Sequence, residues 1–162
     1  MNYSRLTNEE FATIYHKVPR AAVDIIVQTS EGIVLTKRAI PPFVGMWHIC
    51  GGTILFMEPI NHAIDRIILD ELGVGVKVIK SLGVIEYFND DGRHTISNAF
   101  LAKIIEGELR GSKQGQEFAI FNEIPENCIP EQNPSSKKPA YLQGQALQVD
   151  TLNHHHFNYS NR

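Results

Sequence analysis

An acidic pair, an arginine and two glycines between residues 51 and 74 have the types and spacing to bind a metal ion. The segment reads GGTILFMEPINHAIDRIILDELGV and contains Glu58, Arg66, Asp70 and Glu71. Carboxylates and an exposed glycine carbonyl supply hard oxygen ligands, which Mg²⁺ combines with waters and substrate phosphates. Glycines also allow the backbone to approach a ligand closely. These residues therefore predict a partial Mg²⁺ site that a phosphate-containing substrate would complete.

A helix must hold most of these side chains. Apolar residues recur every four positions and predict one buried face; they are Ile60, Ile64, Ile68 and Leu72. The helix is expected to run from Pro59 to Leu72 and to end at Gly73. Arg66 and Asp70 are then one turn apart, and Glu71 lies about 100° around the helix from Asp70. The alternative is a solvated acidic face, although an acidic pair opposes the helix dipole at a C-terminus.

The remaining sequence predicts a mixed α+β domain. Thr7 and Glu10 have the spacing of a capping box, which favours an N-terminal helix over residues 6–18. Apolar and β-branched runs predict strands, at residues 21–29, 33–36, 46–50, 74–88, 94–105 and 117–121. The glycines at 51 and 52 are expected to end the third strand. We predict one domain over residues 1–125 and a C-terminal extension over 126–162, which consists of loop with a short helix and a loose tail.

Composition narrows the class of protein further. The chain of 162 residues carries 15 Lys and Arg against 18 Asp and Glu, and its net charge of −3 argues against a nucleic-acid surface. No apolar run reaches the roughly 18–20 residues of a membrane span. Two cysteines and an N-terminus without an apolar signal core predict a reduced, cytoplasmic protein.

The acidic segment resembles a Nudix box, whose pattern is G-x5-E-x7-R-E-U-x-E-E-x-G-U with U aliphatic. The matching positions follow without gaps, and they are Gly52, Glu58, Arg66, Ile68, Asp70, Glu71, Gly73 and Val74. Asp70 stands where the pattern has a glutamate, so the charge is kept on a shorter arm. Ile67 replaces the glutamate after Arg66 and removes a carboxylate. The GDP-mannose mannosyl hydrolase branch lacks that glutamate too, and the resemblance to it extends over residues ~5 to ~125.

The resemblance implies a Nudix α/β/α sandwich with a mixed sheet. It implies Mg²⁺-dependent hydrolysis, with Mn²⁺ as the other candidate, of a nucleoside diphosphate linked to another group, most simply a nucleotide-sugar. The implied metal ligands are the Gly51 carbonyl, Asp70, Glu71 and Gln114. The implied catalytic residues are Arg38, Glu58, Arg66 and Glu71, and the implied substrate contacts are Lys37 and Arg38. The aromatic ring of Trp47 is a further candidate substrate contact, by stacking on a base or sugar, and a core position is the alternative for it. Arg66 would orient Glu58 or another box carboxylate through hydrogen bonds.

The general base is the missing part of this assignment. The mannosyl hydrolases carry a histidine directly after the metal-binding glutamine, where this chain has Gly115. Glu117 and His94 are the candidates to replace it. Two other functions therefore stay open: a pyrophosphatase for nucleoside di- or triphosphates or ADP-ribose, and a catalytically weakened module that binds a nucleotide-sugar as a sensor. In each case the expected partner is a small nucleotide derivative, and the resemblance to the mannosyl hydrolases also admits a homodimer.

Overall fold

A computed structural model describes residues 3–41, 43–88, 92–112 and 117–132 of the chain. Within these ranges, seven strands and two α-helices form a mixed α+β fold, which confirms the predicted class. In chain order the elements are α1 (Asn8–Tyr15), β1 (Arg20–Thr29), β2 (Gly32–Lys37), β3 (Trp47–His48), β4 (Cys50–Thr53), α2 (Ile60–Leu72), β5 (Val74–Phe88), β6 (His94–Gly107) and β7 (Glu117–Phe121).

Strand β1 lies at the centre of one mixed sheet. The sheet runs in the order β3-β2-β1-β6-β5, while β4 pairs with β1 and β7 pairs with β2. Strands β1 and β6 are parallel, with Arg20 opposite Thr95 and Asp24 opposite Ala99. The other pairs are antiparallel. Arg20 and Thr95 thus lie side by side on one face of the sheet, because paired residues point the same way.

Helix α2 covers the opposite face of β1 and builds the larger core. Its buried residues are Ala63, Ile64, Ile67, Ile68 and Leu72, and they pack on Val23, Ile25 and Val27 of β1. Gly73 ends the helix as predicted, in the left-handed conformation at φ 72°. A second core cluster contains Ile26 and Trp47. No helix in the described ranges is long and apolar enough to cross a membrane.

The glycine pair differs from its prediction. We expected Gly51 and Gly52 to end the third strand, but they lie inside β4, opposite Asp24 and Val23 of β1. A Cβ on Gly51 would meet the Asp24 carboxylate and would come within 2.8 Å of the Val23 carbonyl oxygen. At position 51 a glycine therefore allows β4 to lie close to β1, instead of ending the strand.

The N-terminal helix is shorter than predicted but begins as expected. Thr7 caps α1 in a complete capping box with Glu10. The helix ends at Tyr15 rather than at residue 18. A turn over residues 16–19 then leads to the start of β1 at Arg20. This turn brings the end of α1 next to the beginning of β6, where Gly92 and His94 line a shallow depression together with residues 15–19.

Residues after β7 return to the sheet. The backbone of Cys128 bridges to Trp47 of β3, and Cys128 and Ile129 are buried. A single 3-10 turn then carries Gln132 into the interior, where 5% of its surface is exposed. The helix predicted near residue 140 and the tail lie outside the described residues. The division of the chain at residue 125 stays a prediction.

Candidate active site

Glu71 reaches from the last turn of α2 to the glycine strand β4. Burial raises the pKa of its carboxyl to about 7, although the Cys50 thiol and the Gly51 amide oppose this by hydrogen bonding. The nearby Asp24 carboxylate raises the pKa of Glu71 further, and Arg38 lowers it. The Cys50 thiol itself has a pKa well above its usual value, because it is buried and adjoins Glu71. Glu71 is thus a desolvated carboxylate whose charge the protein compensates in part.

Asp24 is the second carboxylate of this site, and the sequence analysis missed it. It is 7% exposed, and burial raises its pKa, while hydrogen bonding from Tyr87 acts in the opposite direction. Tyr87 Oη donates to Asp24 Oδ2 over 2.7 Å and accepts from Gln132 Nε2 over 3.1 Å. Gln132 Oε1 accepts in turn from the backbone amide of Ile49 at 2.8 Å. The signal that could have found Asp24 is a lone acid inside the apolar run AAVDIIV, since such a charge needs a reason to be buried.

Arg38 supplies positive charge to Glu71, whereas the arginine that lowers the pKa of Asp24 is Arg20. It follows β2 directly, and burial lowers the pKa of its guanidinium, whereas Glu71 raises it. A half-buried guanidinium next to buried carboxylates offers forked donors that match a phosphate group. The structure therefore brings together Glu71, Arg38 and Gly51 of the predicted site, with Asp24 in addition.

Glu58 and Arg66 form a separate clamp on the other side of α2. Arg66 Nε and Nη2 each donate to Glu58 over 2.7 Å, and Nη2 also donates to the Thr53 carbonyl oxygen at 3.0 Å. Glu58 also accepts from the Leu55 amide. Its side chain is fully buried, and the arginine lowers the carboxyl pKa. The clamp fixes the loop that joins α2 to β4, the strand that contains the two glycines, so both residues are placed to position the site.

Asp70 and Ile67 occupy two further positions of the box. Asp70 is exposed and pairs with Arg5 at 3.1 Å, with more than half of each side chain open to solvent. Ile67 is 4% exposed and belongs to the core, where its Cδ1 would lie 3.2 Å from a Cβ on Gly52. The position that usually carries a carboxylate is therefore apolar and sealed, so no acid or base acts from there.

Lys37, Trp47 and Glu117 lie together at the β2–β3–β7 edge of the sheet. Lys37 Nζ pairs with Glu117 at 3.0 Å and lies 5.5 Å from the centre of the Trp47 ring. Trp47 is 8% exposed and packs edge-on against Phe121. The indole therefore belongs to the core, and Glu117 is held by Lys37.

The other candidate base, His94, is also engaged elsewhere. Its ring stacks on Phe88 at 4.6 Å, and its Nε2 lies 3.3 Å from Glu86. His48 is buried and hydrogen-bonded to the Thr36 hydroxyl and the Ile49 carbonyl, and burial lowers its pKa to about 4. Gln114 lies outside the described residues.

The donor chemistry of the site fits a hard divalent cation. The described residues contain no group of three His, Cys, Asp or Glu side chains placed to hold a metal ion. The site does bring two buried carboxylates, Glu71 and Asp24, next to a glycine strand. Mg²⁺ suits such partial sites, since it keeps several waters and takes further oxygens from substrate phosphates. A cation there would also offset the negative charge that raises the pKa of Glu71.

Comparison with known proteins gives consistent matches. Residues 18–140 match the NUDIX domain family. The ADP-ribose pyrophosphatase of Methanocaldococcus jannaschii is 36% identical over 110 residues. The alignment covers 66% of this chain and 65% of that enzyme. The low-salt glycan biosynthesis protein Agl8 of Haloferax volcanii is 28% identical over 134 residues, which cover 78% of this chain and 86% of that protein.

Solved structures agree on the fold. The crystal structure of a MutT NUDIX hydrolase from Burkholderia pseudomallei superposes with a TM-score of 0.65 at 25% identity, and the match covers 70% of this chain and 92% of that one. A NUDIX hydrolase from Nitrosomonas europaea matches with a TM-score of 0.57 at 22% identity and covers 72% of this chain and 63% of that one.

Proposed function

The chain belongs to the NUDIX domain family, and from that premise we propose that it is a Mg²⁺-dependent hydrolase of a nucleoside diphosphate joined to a sugar. The observation that carries the proposal is the meeting of Glu71, Asp24 and Arg38. Two buried carboxylates and a half-buried guanidinium converge on a glycine strand. This combination suits a diphosphate that reaches the protein together with a cation.

Glu71, Asp24 and the Gly51 carbonyl are the groups proposed to hold the metal ion, while waters and substrate oxygens fill its remaining positions. When bound, the ion would neutralise diphosphate oxygens and make the diphosphate a better leaving group. Mn²⁺ offers the same octahedral oxygen chemistry and is the natural second cation to test.

Arg38 is proposed to bind the diphosphate directly. Its planar guanidinium can donate two parallel hydrogen bonds to a phosphate. It is also near enough to Glu71 for the two charges to affect each other's pKa. The arginine would therefore bring the scissile group next to the carboxylates.

Asp24 is also the best-placed candidate for the general base. Burial raises the pKa of Asp24 and so favours proton uptake from water. Tyr87 holds one carboxylate oxygen at 2.7 Å. The sequence-based candidates Glu117 and His94 are engaged with Lys37 and Glu86 instead. Since Tyr87 occupies one carboxylate oxygen, the other oxygen of Asp24 either binds the metal ion or accepts the proton, and the role of base is the alternative to the role of ligand.

A sugar-linked substrate is favoured by Ile67 and by the relatives. Since the box has no carboxylate at that position, we favour attack at the sugar carbon, which leaves the diphosphate intact. One relative is named for glycan biosynthesis. Another is named an ADP-ribose pyrophosphatase, and this favours a second candidate, cleavage between the two phosphates of ADP-ribose. The two candidate substrates, a nucleotide-sugar and ADP-ribose, are both nucleoside diphosphates that carry a sugar.

A substrate panel in ¹⁸O-labelled water tests the proposal. Nucleoside diphosphate sugars, ADP-ribose and nucleoside triphosphates are incubated with Mg²⁺ or Mn²⁺, and the products are identified by mass. Label in the free sugar indicates cleavage at carbon, and label in a phosphate indicates cleavage at phosphorus. Glu71→Gln should lower kcat/KM by about 10²-fold or more, whereas Asp65→Asn, which removes an exposed carboxylate from the same helix, should leave it unchanged.

Saturable binding without turnover of any substrate would contradict the enzyme and would favour the sensor alternative. Equal activity with and without EDTA would contradict the metal requirement.

A further inference from the structure

A relay of three hydrogen bonds joins Asp24 to the backbone just before the glycine strand. Tyr87 Oη donates to Asp24 Oδ2 over 2.7 Å, and Gln132 Nε2 donates to Tyr87 Oη over 3.1 Å. The backbone amide of Ile49 donates to Gln132 Oε1 over 2.8 Å. Ile49 lies between β3 and β4, two residues before Gly51. The relay therefore connects the two strands that carry proposed oxygen ligands of the metal ion, Asp24 on β1 and Gly51 on β4.

The residues of the relay are buried at both ends. Asp24 is 7% exposed, Gln132 is 5% exposed and Ile49 is 2% exposed. Tyr87 and Gln132 each have a hydrogen-bond partner on either side, so the polar atoms that form the relay are satisfied within it. A buried polar network of this kind holds its members in one arrangement, because the loss of any partner leaves a desolvated group behind.

The backbone amide at one end fixes the direction of the relay. The Ile49 N–H group can only donate, so the side-chain oxygen of Gln132 must face Ile49 and its NH2 group must face Tyr87. The phenol oxygen accepts from that NH2 group, and the single phenol proton points to Asp24 Oδ2. Gln132 thus orders the relay, because its amide is an acceptor at one end and a donor at the other.

The two oxygens of Asp24 face different groups. Oδ2 accepts from Tyr87, whereas Oδ1 lies at the place that a Cβ on Gly51 would occupy. The relay thus holds Asp24 by one oxygen and leaves the other against the glycine strand, where the metal ion is proposed to bind. Groups that orient a ligating side chain from behind typically change metal affinity or activity by about 10- to 100-fold when they are removed.

Backbone hydrogen bonds to β3 explain why Gln132 reaches this position. The Trp47 N–H group donates to the Asn127 carbonyl oxygen over 3.0 Å, and the Ile129 N–H group donates to the Trp47 carbonyl oxygen over 2.9 Å. The Gln132 N–H group then donates to the Ile129 carbonyl oxygen over 2.9 Å within the 3-10 turn. The segment after β7 is thereby fixed to the strand that precedes Ile49, so the Gln132 side chain arrives at the Ile49 amide.

We propose that Gln132 is a positioning residue of the active site, which acts through Tyr87 to hold Asp24 Oδ1 against Gly51. Its influence reaches the metal ion only through Tyr87 and Asp24, so it is not a ligand. The inference rests on the proposed function, because the metal-binding role of Asp24 belongs to that function. It adds the segment after β7, which lies outside the Nudix box, to the parts of the chain that determine metal affinity.

Variants at Gln132 and Tyr87 test this role in a double-mutant cycle. Gln132→Met keeps an unbranched side chain and removes both of its hydrogen bonds. Gln132→Glu keeps the acceptor for Ile49 and, when ionised, offers no donor to Tyr87. Each is made in the wild type and together with Tyr87→Phe, which removes the phenol hydroxyl. Gln28→Met removes a half-buried amide from β1, the strand of Asp24, and is the matched control.

The first measurement is the dissociation constant of Mg²⁺, by calorimetry without substrate. Gln132→Met should raise this constant by about 10-fold and lower kcat by a similar factor, while KM changes by less than about 3-fold because Arg38 is unchanged. Together with Tyr87→Phe, the same substitution should have less than about 3-fold further effect. Gln28→Met should leave all three values unchanged. Urea unfolding shows whether each variant is folded, and where Gln132→Met folds poorly, the cycle with Gln132→Glu decides.

The outcomes separate this inference from the proposed function. Equal losses from Gln132→Met with and without the phenol would show that Gln132 does not act through Tyr87, and would overturn the inference. Wild-type Mg²⁺ affinity in a folded Gln132→Met protein would also overturn it and would leave the hydrolase. A loss of Mg²⁺ affinity that disappears with Tyr87→Phe, in a protein without turnover, supports the positioning role and contradicts the hydrolase. A wild-type protein that binds no Mg²⁺ overturns the positioning role together with the metal site.

Discussion

Tyr87 Oη donates a 2.7 Å hydrogen bond to Asp24 Oδ2, and this bond joins β5 to β1 across the intervening strand β6. Tyr87 is itself held by Gln132, which comes from the segment after β7. Burial raises the pKa of Tyr87 well above its usual value, and the Asp24 charge adds to the shift, so the phenol remains a donor at neutral pH. A buried carboxylate is thereby fixed in one orientation by groups from distant parts of the chain.

Removal of the Tyr87 hydroxyl should impair the function of Asp24 while the Asp24 carboxylate itself remains. We expect Tyr87→Phe to lower kcat by about 10-fold and to decrease the free energy of unfolding by roughly 1–3 kcal/mol, because a buried acceptor loses its partner. Tyr3→Phe removes an exposed phenol that bonds His62 and should change neither quantity measurably. Steady-state kinetics and urea unfolding give the two values. Wild-type kcat in a folded Tyr87→Phe protein would contradict a role for the orientation of Asp24.

Asp70 offers a direct test of the box pattern against the structure. The pattern implies that Asp70 helps to bind the metal, whereas the structure pairs it with Arg5 at the exposed surface of α2. We therefore expect Asp70→Asn to change kcat/KM by less than about 3-fold and stability by less than about 1 kcal/mol. The measurement is kcat/KM over a Mg²⁺ titration. A large increase in the Mg²⁺ concentration needed for half-maximal activity would make Asp70 a ligand, as the pattern implies.

The glycine pair should respond unequally to alanine. A Cβ on Gly51 would meet the Asp24 carboxylate and the Val23 carbonyl oxygen, which cannot move without disturbing β1. A Cβ on Gly52 would come within 3.2 Å of Ile67 Cδ1, the end of a side chain that can rotate. Gly51→Ala should therefore lower the midpoint of thermal unfolding and kcat/KM far more than Gly52→Ala. Equal effects of the two substitutions would contradict the close approach of β4 to Asp24.

The sequence predicted the parts of this molecule that local patterns encode. The four-residue spacing of isoleucines predicted α2, the Thr7–Glu10 pair predicted the start of α1, and Gly73 predicted the end of α2. Asp24 and Tyr87 come together across three strands, so no spacing along the chain relates them. The pairing of Asp70 with Arg5 could not be inferred from the box either, since Arg5 lies 65 residues away and precedes the first helix. Local periodicity thus predicted the elements, whereas the polar contacts between strands required the structure.

The raised pKa of Glu71 predicts how the stability of the protein depends on pH. In the folded protein the Glu71 carboxyl has a pKa of about 7, against an ordinary value of 4.5. The folded state therefore binds more protons than the unfolded state between these values, and stability due to this group falls as pH rises from about 4.5 to 7. Above pH 7 the loss is complete. Other carboxyls add their own slopes, and Glu58, whose pKa is lowered, acts in the opposite direction.

Comparison with Glu71→Gln isolates this one group. In EDTA the wild type should lose stability relative to Glu71→Gln as pH rises from 5 to 7, because glutamine carries no charge to desolvate. Mg²⁺ should reverse the trend for the wild type alone, since a bound cation favours the ionised carboxylate, and this stabilisation should grow up to about pH 7. Urea unfolding at pH 5, 6, 7 and 8 with and without Mg²⁺ measures both effects. Parallel profiles for the two proteins in EDTA would contradict the buried, partly compensated carboxylate, and equal stabilisation of both by Mg²⁺ would place the cation elsewhere.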